Sequence, residues 1–253
     1  MKFFDSHSHY NDEKFDVDRK KIIEENYKKG IKLLVCAGYS VESSEDAIRL
    51  STEFKHIYST CGISPNDIDE DVDNQIYKIE KLAQNSKVVA IGEIGLDYYW
   101  NKDNKEKQKE IFAKQINIAN KLDLPIVIHT REAVMDTLSI LKQNNVKKKG
   151  VFHCCPLNIE LVKEALKLGF YISFSGNITF KNAKAEEIIK LVPLDKVLIE
   201  TDCPYLSPEP NRGKRNDSSN LIYIAEKIAN IKGIKIEDVA KITYENAKKI
   251  FDL

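Results

Sequence analysis

The chain has 253 residues, 42% of them hydrophobic, and its 39 Lys+Arg balance 39 Asp+Glu to a formal net charge of zero. That length and apolar content suit one large α/β domain or two small ones, and the zero balance argues against a basic nucleic-acid-coating protein or a polybasic membrane binder. No apolar run approaches the ~20 residues of a membrane span, and the N-terminus lacks the basic and long apolar segments of a secretory signal. The five cysteines, odd in number and without a CxxC pair, read as free thiols. A soluble, cytoplasmic protein is expected.

Along the chain, short β-rich apolar runs fall at 2–6, 32–37, 57–62, 88–93, 125–130, 150–154, 171–175 and 197–201. Many are apolar at consecutive positions, which suits parallel strands covered on both faces. Amphipathic helical patterns lie between them at 17–29, 43–54, 72–84, 105–122, 133–144, 159–168 and 183–191, with two more at 218–232 and 236–251. Gly30, Gly169 and Pro193 follow helical runs as stop signals. Eight strand–helix units in ~250 residues match an α/β (β/α)8 TIM barrel occupying 1–253 as a single domain. A doubly wound sheet would want a Gly-rich phosphate turn. No GxGxxG or Walker A motif occurs, and Gly213-Lys214 lacks the upstream glycine. The stretch 204–213 reads as a loop of the last unit rather than a domain boundary.

The polar residues give the barrel a working end. His7 and His9 are two apart on an extended strand, so their side chains share a face. His129 ends the fifth predicted strand, His153 the sixth and Glu93 the fourth, and Asp202 follows the eighth. In a barrel all of these lie on the C-terminal face, where active sites are built. A lone histidine at a strand end is more often a hydrogen-bonded rim residue, and a lone acid more often a helix cap. Neither reading predicts one common face for four histidines and two acids. His56 precedes its strand, falls at the opposite end and is assigned no role.

Six ligands suggest two divalent ions, Zn, Mg or Mn, with Glu93 bridging. His7, His9 and Asp202 would hold one, and His129 and His153 the other. Two such ions ~3.5–4 Å apart acidify a bridging water. Asp202 is then the general base and Glu93 the bridging catalytic carboxylate. Two carboxylates against two divalent ions would leave about two positive charges, which suits an anionic substrate.

Substrate contacts are sought nearby. Arg131, Arg212, Lys214 and Arg215, in loops after strands five and eight, would take phosphate oxygens. Tyr98, Tyr99 and Trp100 would stack on bases, with at least one packing inward instead. Cys203 and the Cys154-Cys155 pair are expected to be packing residues.

Several segments together carry a resemblance. They are Asp5-Ser-His-Ser-His9, Ile91-Gly-Glu-Ile-Gly-Leu-Asp-Tyr-Tyr99, Val127-Ile-His-Thr-Arg131, Phe152-His-Cys154, Glu200-Thr-Asp-Cys-Pro-Tyr-Leu206 and Pro210-Asn-Arg-Gly-Lys-Arg-Asn216. End to end the chain resembles the TatD-type metal-dependent deoxyribonucleases, a branch of the amidohydrolase-like barrels. The resemblance implies a TIM barrel, DNA as substrate, and ligands at His7, His9, Glu93, His129, His153 and Asp202, the set that placement gives. Two departures stand out. The family's Gly-x-His-Pro-His turn after strand three is here Gly62-Ile-Ser-Pro-Asn66, and its Phe-Ser-Gly after the strand-six His-Cys is here Cys155-Pro-Leu157. Neither touches the six ligands, and both bear on contacts to the leaving group or nucleotide.

The expected activity is hydrolysis of DNA phosphodiesters from an end. The alternative is a binuclear amidohydrolase acting on an amide, ester or lactone of a small molecule or acylated nucleic acid, since the barrel hosts many chemistries. A non-catalytic metal- or nucleic-acid-binding protein is the third reading, against which an intact ligand set argues. No obligate protein partner is evident, and the oligomeric state is left open.

Overall fold

A computed structural model describes residues 1–253. Eight parallel strands run in sequence order around a (β/α)8 barrel: β1 (Phe3–Ser8), β2 (Ile31–Cys36), β3 (Ile57–Cys61), β4 (Val88–Asp97), β5 (Ile126–Arg131), β6 (Gly150–Phe152), β7 (Tyr171–Phe174) and β8 (Val197–Ile199). The helices between them are α1 (Arg19–Lys29), α2 (Val41–Glu53), α3 (Val72–Leu82), α4 (Lys105–Leu122), α5 (Val134–Gln143), α6 (Ile159–Lys167) and α7 (Ala185–Leu191), and α8 (Leu221–Lys232) and α9 (Ile236–Phe251) follow the last strand. Gly30 caps α1 with φ 115°, a left-handed conformation that a side chain would strain.

The strands are apolar on both faces because each face has its own cover. One layer joins Phe4, Val35, Val127, Val151 and Leu198 to Ala247, Ile250 and Phe251 of α9, so α9 closes the N-terminal end of the barrel. The larger cluster packs Ile31, Ile91, Ile126, Phe152, Ile172 and Val197 against the surrounding helices. The N-terminal end is thereby filled, and the polar residues are left to the other.

Two register slips aim the site. Asp5 pairs with Leu34 but Ser8 with Cys36, so β1 carries one extra residue across that interval. Ile91 pairs with Ile126 but Ile94 with Ile128, so β4 carries one extra residue around Glu93. An extra residue locally re-aims side chains. In β1 it lets Asp5 and His7 serve different surroundings although they are two apart. The sequence reading stopped strand four at Glu93. The strand in fact continues to Asp97, because Ile94–Asp97 pair residue for residue with Ile128–Arg131. Arg131 accordingly ends β5 rather than lying in the loop beyond it.

Glycines flank Glu93 for a steric reason. A Cβ on Gly92 would sit 2.5 Å from the Val127 Cβ, and one on Gly95, at φ +140°, would sit 2.0 Å from the His129 carbonyl oxygen. β4 is thus pressed against the segment of β5 that carries His129.

No strand ladder joins β1 to β8. Their seam is closed by individual bonds. The Ser6 hydroxyl donates to the Ile199 carbonyl at 3.0 Å, Asp202 N–H donates to the His7 carbonyl at 3.0 Å, and His9 N–H donates to the Cys203 carbonyl at 2.7 Å. Buried Asp5 accepts from the Thr201 N–H at 2.9 Å, the Thr201 hydroxyl at 2.6 Å and the Ser218 hydroxyl at 2.6 Å.

Asp5→Ala leaves those three buried donors unpaired. We expect it to lower unfolding stability by about 3 kcal/mol. Urea unfolding of wild type and variant is the measurement. A loss under about 1 kcal/mol would contradict this account of the seam.

Candidate metal centre

Each strand end delivers one part of the site. His7 lies in β1 and His9 one residue beyond it, Glu93 at the register slip of β4, His129 in β5, His153 one residue past β6, and Asp202 three residues past β8. Asp202 adopts φ 55°, a left-handed conformation that aspartate tolerates better than most residues.

The candidate donor atoms fall into two groups that share Glu93, and a further trio, His7, His153 and Asp202, spans both. In the first, His7 Nε2 lies 3.1 Å from His9 Nε2, 3.6 Å from Asp202 Oδ1 and 3.5 Å from Glu93 Oε2. His9 Nε2 lies 3.2 Å from Asp202 Oδ1 and 3.9 Å from Glu93 Oε2. In the second, Glu93 Oε1 is 3.1 Å from His129 Nδ1 and 3.4 Å from His153 Nε2, and those two nitrogens are 3.2 Å apart. The His7 and His153 rings stack at 4.0 Å between the groups.

These spacings test whether metal ions fit. Ligands at 2.0–2.1 Å from a tetrahedral ion are separated by about 3.3–3.4 Å along each edge, and the distances above bracket that value. The chemistry of the donors agrees. Imidazole lone pairs and carboxylate oxygens facing one another at these separations repel unless a cation or a proton lies between them. Burial opposes charge on His153, yet Glu93 and Glu200 outweigh it and hold the imidazole well above its ordinary range. Burial likewise opposes charge on Glu93, and the imidazoles of His153, His129 and His7 nevertheless hold it well below the usual carboxylate range. The donor set is able to hold metal ions.

Sequence reasoning missed two acids behind the ligands. Asp97, the last residue of β4, accepts from His129 Nε2 at 3.0 Å. Glu200 is fully buried, accepts from the Cys154 N–H at 2.5 Å, and lies 3.4 Å from His153 Nδ1, outside hydrogen-bonding geometry. Both sit in the quoted motifs, at Leu96-Asp97 and Glu200-Thr201, which was the available signal. They revise the expected charge. Four carboxylates, Glu93, Asp202, Asp97 and Glu200, against two divalent ions would leave the centre near neutral rather than doubly positive.

The ligands open into a cavity of about 520 Å³, whose walls include Ser64, Asn66, Asp67, Trp100, Arg131 and Tyr205. Arg131 lies 3.9 Å over the Tyr99 ring and 5.5 Å from that of Trp100. Trp100 is 68% exposed and Tyr99 44%, whereas Tyr98 is the inward member of the trio and donates its hydroxyl to Asp136 at 2.7 Å. Arg212 lies 3.7 Å over Phe180, Lys214 reaches Asn211 at 3.4 Å, and Arg215 pairs with Asp18. None of these three lines the cavity. Cys203 is buried among Tyr10, Phe15 and Ile23, and His56 packs on Tyr27 away from the site.

The comparisons with known proteins follow the same outline. A family model described as "TatD related DNase" matches residues 4–252. The chain is 42% identical over 250 residues to the uncharacterized metal-dependent hydrolase YabD of Bacillus subtilis, covering 98% of each chain. It superposes on the YJJV TatD homolog of Escherichia coli K12 with a TM-score of 0.94 at 22% identity, over 99% of this chain and 98% of that one. A TatD-family hydrolase of Entamoeba histolytica gives 0.87 at 23% identity with the same coverage. At these identities the two structures bear on fold alone.

Ions that bind the folded chain and not the unfolded one must stabilise it, by about 2.7 kcal/mol at a hundred times Kd. Chelator-stripped protein should therefore melt several degrees higher when Zn²⁺ or Mn²⁺ is added back. A melting temperature indifferent to both ions would contradict the metal centre.

Proposed function

The chain belongs to the TatD-related DNase family and is a metal-dependent hydrolase, and on that footing we propose that it cleaves DNA phosphodiester bonds from an end. We also propose two resident divalent cations, Zn, Mg or Mn, one held by His7, His9 and Asp202, the other by His129 and His153, with Glu93 between them. The observation that supports this most is the division of Glu93, whose Oε2 faces the first group and Oε1 the second. When bound, such ions acidify a water between them and offset charge that grows on the phosphoryl oxygens.

The remaining roles belong to the chain. Asp202 Oδ1, 3.2 Å from His9 Nε2, accepts a proton from the attacking water. Glu93 keeps the two ligand groups in fixed relation. Arg131, the cation lining the cavity, takes a phosphate oxygen in the bidentate manner of guanidinium groups. Trp100, exposed and lining the cavity, offers its ring to a base, a contact worth ~1–3 kcal/mol, and Tyr99, with Arg131 stacked on its ring, backs the same wall. Arg212 and Lys214 act farther along the strand, through backbone phosphates. The free state of all five cysteines supports a cytoplasmic location.

One observation favours the alternative, hydrolysis of an amide, ester or lactone. The cavity lining contains Asp67, Glu93, Asp97 and Asp202 against the single cation of Arg131. Such a balance suits a neutral substrate better than the charge count from sequence did.

End-labelled single-stranded DNA separates the two. We expect release of mononucleotides that stops with EDTA and resumes with Mg²⁺ or Mn²⁺. Ester and amide substrates hydrolysed much faster than DNA would reverse the order. Glu93→Ala should lower turnover at least about a hundredfold in a folded protein, and wild-type rates would sink the assignment. Arg131→Ala should raise KM for DNA about tenfold or more with a smaller change in kcat, the loss of one charge-assisted contact.

A further inference from the structure

We infer that Asp97 is a positioning residue: its carboxylate fixes His129 with Nδ1 turned toward the ligand group. The inference rests on the metal reading of the site and not on the identity of the substrate.

The geometry is specific. His129 is the one ligand that faces the group through Nδ1 rather than Nε2. Its Nε2 points away, to Asp97 Oδ2 at 3.0 Å. The same Oδ2 accepts from the Asn66 amide at 3.3 Å, and Oδ1 accepts from the backbone N–H of Tyr99 at 2.9 Å and of Trp100 at 3.0 Å. Asp97 is 1% exposed. Two of its four partners are backbone N–H groups, which bind Oδ1, and a third is the Asn66 amide nitrogen at Oδ2, so the carboxylate is an acceptor at both oxygens. His129 must then carry its proton on Nε2, which leaves Nδ1 with the free lone pair that a ligand needs.

No other histidine has a hydrogen-bonded carboxylate behind it; the nearest case is Glu200, 3.4 Å from His153 Nδ1 but outside hydrogen-bonding geometry. The Nδ1 atoms of His7, His9 and His153 find no hydrogen-bond partner. Orientation by an outer carboxylate is therefore particular to the second ligand group. It also ties that group to the cavity mouth, because the backbone of Tyr99 and Trp100 hangs on the same side chain.

Asp97→Asn is the discriminating variant, since it keeps the shape. The asparagine oxygen takes the two backbone N–H groups, which leaves its NH2 facing His129 Nε2. That favours the opposite tautomer, with the proton on Nδ1 in the ligand position. Turning the amide over restores His129 but leaves two buried N–H groups unpaired.

Two measurements test this. Nitrogen-15 NMR of metal-free wild-type protein at alkaline pH, where the His129 ring is neutral, should report the Nε2–H tautomer, and a neutral ring with its proton on Nδ1 would overturn the inference whether or not the variant folds. Isothermal titration with Zn²⁺ should show one binding step in Asp97→Asn like that of the wild type and a second weakened 10–100-fold, the range for loss of such a partner. Wild-type affinity at both steps would overturn it. Failure of the wild type to bind Zn²⁺ at all would overturn the metal reading itself, a distinguishable result.

Discussion

The open end of the barrel depends on how β1 is held to the segment after β8, because no strand ladder joins them. Asp5 accepts two bonds from Thr201 and one from Ser218. Backbone bonds then bind His7 to Asp202 and His9 to Cys203. Two candidate ligands at the end of the first strand and one after the last are thereby fixed in a single stitched unit. The buried Asp5 accounts for the first residue of the Asp5-Ser-His-Ser-His9 segment, which is otherwise only a pair of ligands. Ordering the ligands by main-chain bonds leaves their side chains free to hold something else.

On the opposite side the same task falls to β4 and β5. The extra residue around Glu93 and the side-chain-free Gly92 and Gly95 let β4 lie against His129. Glu93 comes to rest between two histidine groups. A straight ladder would have carried alternate residues to fixed faces. The slip is what allows one carboxylate to address both groups.

Much of this was legible in the sequence. The strand–helix alternation gave the barrel, and the position of His7, His9, His129, His153, Glu93 and Asp202 at strand ends brought them to one place. Three things were not legible. The length of β4 was hidden because Glu93 looks like the polar end of an apolar run, whereas pairing with β5 carries the strand to Asp97. The roles of Asp97 and Glu200 depend on distances across neighbouring strands, which no spacing within one strand conveys. The loop cations were grouped by proximity in sequence, but Arg215 is spent on Asp18 and Arg212 on Phe180, while Arg131 faces the cavity.

The charge count links the site to its chemistry. Buried carboxylates outnumber what a doubly positive centre would carry, and beside them the His153, His129 and His9 imidazoles are held above their ordinary range. The central claim is that the cavity holds two ions that share Glu93. Anomalous scattering from crystals grown with Mn²⁺ tests it most directly. The account predicts two peaks, one among His7, His9 and Asp202 and one between His129 and His153, with a Glu93 oxygen on each. A single peak, or two with Glu93 turned away from both, would contradict it.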